Sequence, residues 1–576
     1  MAPDDARPPG ACGHRYSARR RASRRPGHRG VVVGLWLDDS ELRIGLGCMR
    51  MSTDETRDDD LSMKTIAAAA QAGVTVFDTA RAYGDNERLV ARGLRSCGAE
   101  GTARIVTKGG MTRPGGAWVP DGRAKAILAD CAASVEALDG LPIDLYLIHA
   151  PDPRTPWRTS VRALARLAEE GIVRHVGLAN VNRHQLDEAL ELAPVAAVQV
   201  ALSRFEDRAL RGGLVERCDE LGITLLAHSP LGGPKRARRT DAQEALAWLL
   251  NLSRVVVPIP GARRPETARS AARVAANALD PAPFRRGGSR LPLRADAEVV
   301  LVMGIPGAGK SSIAADYAAR GYLRLNRDER GGSLRELTGA LDEALAAGSR
   351  LVVLDNTYLT RAARNDVIQT ARGHGVSTRC VWLDTPLAQA QINLVERLLD
   401  RFGSLPSPAQ LRELARREPG VLAPTSQMRA VRELERPSAD EGFARIETVP
   451  FVRAPSSGTP GVFVAARALD EPGWEASIGD RDTQHLVYDW NPDGDVSALD
   501  AAAARLAKAV SRPVEAALCP HAAGPPTCWC RPPLPGLPLA FARAHGIDPA
   551  RSTLIGSAPA HHTLATTLGA RYVPVT

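Results

Sequence analysis

Eight short apolar runs recur along the first half of the chain: Leu42–Met49, Val74–Asp78, Arg104–Lys108, Leu145–His149, His175–Asn180, Ala197–Val200, Thr224–His228 and Val255–Pro260. Between most of them lie stretches of helical periodicity, such as Arg123–Leu138 and Ser160–Glu170. Strand and helix alternating eight times predict a (β/α)₈ barrel over residues 32–278. A Pro/Gly-rich basic stretch around Asp280–Ser289 then reads as a linker, 279–296. Beyond it the pattern changes. The runs beginning at Val299, Arg350 and Thr378 each end in polar residues, which predicts an open parallel sheet over 297–455. A third segment, 460–576, begins with another apolar run, Val462–Val464.

Composition sharpens this. A chain of 576 residues has room for about three or four domains. Its apolar fraction of 44% can fill real cores. No run of about 18 apolar residues is present, so no membrane span is expected. Nine scattered cysteines show no small-domain disulfide pattern, which favours a reducing cytoplasm and metal binding where cysteines cluster. The net charge is +9, but residues 1–30 hold eight arginines against two aspartates, leaving only about +3 elsewhere. Without an apolar h-region, residues 1–31 read as a disordered basic leader, not a secretory signal. The overall charge is therefore weak evidence for a nucleic-acid partner.

Polar residues end the barrel runs: Asp78, Lys108, His149, Asn180 and His228. Catalytic groups gather at the carboxyl ends of barrel strands. Val76–Gly84 with its Asp78 and Tyr83, Thr107-Lys108, Leu147-Ile148-His149 and Ile259-Pro260-Gly261 resemble the aldo-keto reductases over most of residues 41–275. The resemblance implies that Tyr83 protonates a substrate carbonyl, Lys108 lowers its pKa, Asp78 pairs with Lys108, and His149 orients the carbonyl. Asn180 and Gln199 match the family's carboxamide-binding positions. Gly261 belongs to the loop after the eighth strand, where Arg263, with Arg264 beside it, matches the grip on an adenosine 2′-phosphate. That implies NADPH as cofactor and a small carbonyl compound as substrate. The chain departs from the family in two places. His228 stands where many members stack a tyrosine on the nicotinamide, and Gly233–Glu244 is shorter than the usual segment that belts the pyrophosphate. Barrel closure with weaker cofactor binding is the expectation.

Gly304-Ile305-Pro306-Gly307-Ala308-Gly309-Lys310-Ser311-Ser312 follows an apolar run and precedes an alanine-rich helix. The pattern and its context fit a phosphate-binding loop for ATP. Gly304, Gly307 and Gly309 let backbone amides approach phosphate, Lys310 reaches the β/γ oxygens, and Ser311, followed by Ser312, is the expected Mg²⁺ ligand. With Asn326–Arg330 this set resembles the polynucleotide-kinase type of phosphotransferase. By that match Asp328 is the general base and Arg330 contacts the acceptor's phosphate, implying a nucleic acid with a 5′-OH end as partner. A small-molecule hydroxyl is the alternative acceptor. Asp355 reads equally as support for the metal shell or as a structural cap. Arg397 is a weaker candidate for a lid over ATP.

Cys519, His521, Cys528 and Cys530 sit within twelve residues of a Pro/Gly-rich loop, a ligand set suited to structural Zn²⁺. Together with Arg531-Pro532-Pro533, Leu537–His545 and Ile555-Gly556-Ser557, they resemble the zinc loop of histidinol-phosphatase-like HAD phosphatases. That family's Asp-x-Asp is replaced by Ala465-Ala466-Arg467, its lysine by Pro532 and its metal-binding aspartate by Ser557. An alanine cannot form an aspartyl-phosphate, so a catalytically inactive HAD-like Rossmannoid domain is expected. The whole reads as an NADPH-dependent carbonyl reductase fused to an ATP-dependent kinase. The competing reading keeps only the kinase active, with the flanking modules as binding scaffolds.

Overall fold

The computed structural model of the protein describes residues 36–237, 239–278, 292–452 and 457–575. The expected basic leader, 1–31, lies outside them, as does most of the expected linker, 279–291.

All eight apolar runs of the first half are strands: β1 Gly45–Gly47, β2 Val76–Asp78, β3 Arg104–Gly109, β4 Leu145–Ile148, β5 His175–Ala179, β6 Val195–Ala201, β7 Thr224–His228 and β8 Val256–Pro258. They are parallel and follow chain order around the sheet. The ends meet where the Gly47 amide donates to Pro260 O at 3.0 Å. Glycine is required for this approach, since a Cβ at Gly45 would fall 2.8 Å from Ile259 Cγ2. Val76, Val106, Leu145, Leu147, Leu226 and Val257 fill the barrel with Trp36 and Leu37. The Trp36 indole donates to Asp144 Oδ1 at 2.7 Å, beside the start of β4. Each fully buried aliphatic side chain contributes about 1.5–3 kcal/mol, so the interior is a packed core and not a pore. Outside it, the helices Ala124–Ala137 and Trp157–Glu169 match the predicted ones within three residues. The second turns Val161, Leu164 and Leu167 inward on one stripe.

A second sheet holds β9 Glu298–Met303, β10 Leu323–Asn326, β11 Leu351–Asp355, β12 Ser377–Asp384 and β13 Arg445–Pro450. Its order is β10-β11-β9-β12-β13, all parallel. The fifth strand departs from the sequence reading, because Arg445–Pro450 lies at the edge with half its positions exposed. A third parallel sheet, ordered β16-β15-β14-β17-β18, holds β14 Gly461–Ala465, β15 Gln484–Trp490, β16 Val514–Cys519, β17 Thr553–Gly556 and β18 Arg571–Pro574.

Two kinds of junction join these parts. Barrel and second sheet meet through ion pairs, Arg211–Asp366 at 2.8 Å and Arg183–Asp440 at 2.7 Å. The core of the third sheet instead takes in a helix that follows the second sheet's β12, while the second sheet's own strands pack in separate clusters. Ile392, Val395, Leu398 and Leu399 of the helix Leu387–Phe402 pack in that core with Phe463, Val464, Leu564 and Leu568. Among the described residues, no helix is long and apolar enough to cross a membrane.

Candidate functional site

The β2, β3 and β4 ends bring Asp78, Lys108 and His149 to the carboxyl mouth of the barrel, with Tyr83 on the short helical turn Arg81–Tyr83 after β2. Lys108 Nζ lies 2.7 Å from Asp78 Oδ1 and also donates to Thr79 O at 2.8 Å. Both partners are buried, and the Lys108 ammonium sits 5.2 Å from the Tyr83 ring centre. Tyr83 meets His149 edge-on, with ring centres 5.7 Å apart. Asp78, Tyr83 and His149 line a cavity of about 430 Å³ together with Asn180, Gln199, His228, Pro260 and Gly261, with Lys108 buried behind them. Trp118, carried by the hairpin Met111–Thr112/Val119–Pro120, closes one side against both rings.

The electrostatics separate the roles. Burial would lower Lys108, but Asp78 and then Tyr83 outweigh it and hold the ammonium above its ordinary pKa. Burial raises the Tyr83 phenol, and the opposing pull of Lys108 does not reverse that. The expected lowering by lysine is thus present as an influence while the net direction is upward. His149 is pushed down to about 3 by burial, reinforced by Lys108 and His228, so its imidazole is neutral at working pH. Its Nδ1 is buried and has no hydrogen-bond partner among the described residues.

The residues matched to cofactor binding also serve the barrel itself. Gln199 donates to Asp78 Oδ1 at 2.6 Å, sharing that oxygen with Lys108. Asn180 has φ +56° and donates to His149 O at 2.9 Å. His228 Nε2 lies 3.1 Å from Asn180 Oδ1. Arg263 pairs with Asp54 at 3.0 Å and donates to Thr56 O at 3.0 Å. The short segment after β7 forms the helix Pro234–Ala237 before the next helix, Ala242–Leu250. The neutral His149 imidazole thus lines a concave site with the Lys108 ammonium buried behind it, the kind of cleft small-molecule sites occupy.

In the second sheet the loop Gly304–Gly309 joins β9 to the helix Lys310–Ala319, between β11 and β12. Gly307 has φ +87°, and a Cβ there would collide with Ala390 O at 2.3 Å. Three distant side chains hold the loop's carbonyls: Asn393 to Gly307 O at 2.8 Å, Thr385 to Ala308 O at 3.0 Å, and Gln427 to Pro306 O at 3.1 Å. Lys310 donates to Gly304 O and Ile305 O. Burial lowers it to about 8 against the opposing pull of Asp355 and Asp328, with Arg397 adding to the fall. The adjoining cleft of about 360 Å³ gathers Lys310, Ser311, Asp328, Asn356, Arg397, Arg416 and Arg417.

Asp355 is buried and accepts from Arg324 at 2.5 Å and from Asn326 at 2.8 Å. Asn326 Oδ1 in turn accepts the Asp328 amide at 2.6 Å, so β10 and β11 together set where Asp328 begins its helical turn. Ser312 and Arg330 are exposed and are not among the residues lining the cleft. Asn393 and Gln427 were missed in the sequence. Their one local signal is a polar residue inside an amphipathic helix, which does not name the loop they reach.

The ligand atoms of Cys519, His521, Cys528 and Cys530 all lie within 4.8 Å of one another. Cys519 Sγ is 3.7 Å from Cys528 Sγ and 3.3 Å from Cys530 Sγ, while His521 Nδ1 is 3.1 Å from Cys530 Sγ. A disulfide needs about 2.05 Å, whereas ligands about 2.3 Å from a tetrahedral ion are spaced much as these are. The four therefore fit a zinc ion. Trp490 donates to His521 O at 2.8 Å and is covered by the Arg531 guanidinium. At the strand ends of this sheet, Ala465–Arg467 follow β14, and the Ser557 and Ala558 amides donate to His561 Nδ1 at 3.2 Å.

The family profile of the aldo/keto reductases matches residues 43–244, and that of an AAA domain matches residues 299–419. The aldo-keto reductase str7 of Strobilurus tenacellus is 38% identical over 178 residues, covering 30% of this chain and 51% of that protein. The chain thus spans about half that relative's length. Probable aldo-keto reductase 1 of Glycine max is 30% identical over 270 residues, covering 38% of this chain and 76% of that one. A crystal structure of a thermostable aldo-keto reductase with the inhibitor epalrestat shares 30% identity over 41% of this chain and 91% of its own, with a TM-score of 0.36. A near-closed eight-stranded parallel barrel, the profile match and a relative covered over three-quarters of its length lead to one assignment: through its N-terminal part, the chain belongs to the aldo/keto reductase family.

Proposed function

We propose that the chain is a bifunctional enzyme, reducing small aldehydes or ketones with NADPH and transferring phosphate from ATP to a hydroxyl. The observation that carries the first half is the buried Lys108–Asp78 pair beneath Tyr83 and His149 in the barrel cavity. NADPH, when bound, supplies hydride to the carbonyl carbon. Tyr83 gives its O–H proton to the carbonyl oxygen, and Lys108 stabilises the phenolate left behind. Asp78 keeps Lys108 charged in a dry site, with Gln199 fixing the carboxylate. Neutral His149 directs the carbonyl without adding a positive charge that would repel Lys108. Asn180, Gln199, His228 and Gly261 line the cavity and would hold the nicotinamide, and Arg263 is the candidate for the 2′-phosphate.

In the second domain, Lys310 and the loop amides would hold the phosphates, Ser311 would ligate a Mg²⁺ that neutralises their charge, and Asp328 would take the proton from the acceptor hydroxyl. A polynucleotide 5′-OH is the proposed acceptor. A small-molecule hydroxyl is the second reading, favoured by Arg330 lying outside the cleft lining. The third domain is read as a zinc-stabilised, HAD-like module without phosphatase chemistry, supported by the four-ligand cluster and by Ala465–Arg467 at the end of β14.

Loss of NADPH absorbance over an aldehyde panel, with Tyr83→Phe as control, tests the reductase. No oxidation by the wild type would sink it. Label transfer from ATP to 5′-OH DNA, 5′-OH RNA and small alcohols decides the acceptor, and transfer to none of them would refute the kinase.

A further inference from the structure

The residues that roof the nucleotide cleft stand on the cysteine knuckle of the third domain. Trp529 lies between Cys528 and Cys530, is 1% exposed, and donates its indole N–H to Leu422 O at 3.0 Å. Leu422, Val421 and Gly420 line the cleft around Lys310. From there the path continues inward. The Gly420 Cα is so close to Arg397 that a Cβ would sit 3.0 Å from its Nη1, and Arg397 acts directly on the charge of Lys310. Arg401, one helical turn on, donates to Pro419 O at 3.2 Å. On the other side, the Gly536 amide donates to Trp529 O at 3.0 Å, and Leu405 packs on the cysteine cluster.

We infer that Trp529 is a positioning residue for the nucleotide cleft, and that the Cys₃His knuckle sets the affinity of the P-loop for nucleotide by fixing where the 418–422 segment sits. The physical basis is simple. A buried indole N–H requires a partner. Its ring is held by two neighbours whose sulfurs point at one centre, so with the ion bound the donor has one position. Without the ion the sulfurs have no common anchor, and the Leu422 carbonyl loses its fixed donor. The roof then samples positions in which Arg397 is no longer set over Lys310. This inference rests on the P-loop domain binding nucleotide.

The test uses the full chain, with MgADP titrated by calorimetry into wild type, Trp529→Phe, Lys310→Ala and wild type stripped of metal by chelation. Zinc is quantified as it is released, and hydrogen exchange is followed over residues 415–422. Removing one hydrogen bond while keeping an aromatic ring should raise the Kd for MgADP about threefold to tenfold. Zinc content and NADPH affinity of the barrel should stay at wild-type values, which a general loss of stability would not spare. Stripping should raise the Kd further, speed exchange over 415–422, and be reversed by adding Zn²⁺. Trp529→Phe and stripped protein binding MgADP as wild type does, while Lys310→Ala does not bind, would overturn the inference and leave the P-loop reading intact. No binding by the wild type would overturn both. If Trp529→Phe does not fold, the stripping and re-addition series on the wild type decides alone.

Discussion

Acid should loosen the barrel through two of its imidazoles, His149 first among them. His149 is 7% exposed and is held at a pKa of about 3 by burial, with Lys108 and His228 pushing the same way. In the unfolded chain it titrates near 6.5. A lowered folded-state pKa means that the unfolded chain takes up the proton first, so stability falls as pH drops from 6.5 toward 3 and is unaffected above that window. Between pH 7 and pH 5 the linkage amounts to about 2 kcal/mol. For a domain of this size that is a fall in Tm of roughly 4–8 °C. The assay is scanning calorimetry of the barrel transition at both pH values in wild type and His149→Phe, which fills similar space and cannot titrate. The difference between the two proteins isolates the residue from other acid-sensitive groups. His228, pushed to about 4 mainly by burial, adds in the same direction, but by less because it is partly exposed. An equal fall in both proteins would refute a buried neutral His149. It would also remove the argument that the residue directs a carbonyl without competing with Lys108.

Lys108→Met should lower carbonyl reduction by about 10²–10⁴-fold. It leaves Asp78 buried with Gln199 as its remaining side-chain donor, so a loss of up to about 3–5 kcal/mol in stability should accompany it; activity within tenfold of wild type would contradict the assigned role. Arg263→Ala should raise KM for NADPH several-fold and leave KM for NADH unchanged, whereas an equal rise for both would show that the residue only ties Asp54 and Thr56 together. Because Lys310 sits at about 8 in the free protein, nucleotide binding near pH 8 should take up a fraction of a proton. Calorimetry in buffers of different ionisation enthalpy reads that uptake, and none at pH 8 would count against the buried ammonium. Asp328→Asn should abolish phosphate transfer while MgADP still binds, and transfer at the wild-type rate would refute its role as base.

The barrel was legible because its chemistry and its architecture coincide in sequence. Each strand is a short buried run, and in five of the eight runs a polar residue stands at the carboxyl end, toward the mouth. That made Asp78, Lys108, His149 and Asn180 readable one at a time. Contacts made across long separations were not readable. Asn393 and Gln427 reach the phosphate loop over 86 and 121 residues, and nothing in local periodicity names a partner that far away. Trp118 closes the cavity only because a small hairpin folds it back. Gln199 was matched to a cofactor role by position, yet its shortest bond is to Asp78, a geometry set by the packing of β2 and β6 around the barrel. Arg330 has the motif's spacing but is exposed and outside the cleft lining, where Arg327 and Asp328 of the same helical turn stand.

The seating of the helix Leu387–Phe402 in the third sheet's core has a consequence for how the chain can be taken apart. A cut between the barrel and the second sheet severs ion pairs that water can replace. A cut between the second and third sheets would strip the cover from Ile392, Val395, Leu398 and Leu399 and bare an apolar helix face. Such faces make fragments aggregate. The three sheets therefore amount to two heritable pieces. The barrel can be gained, lost or transplanted as a module, whereas the P-loop domain and the knuckle must travel together.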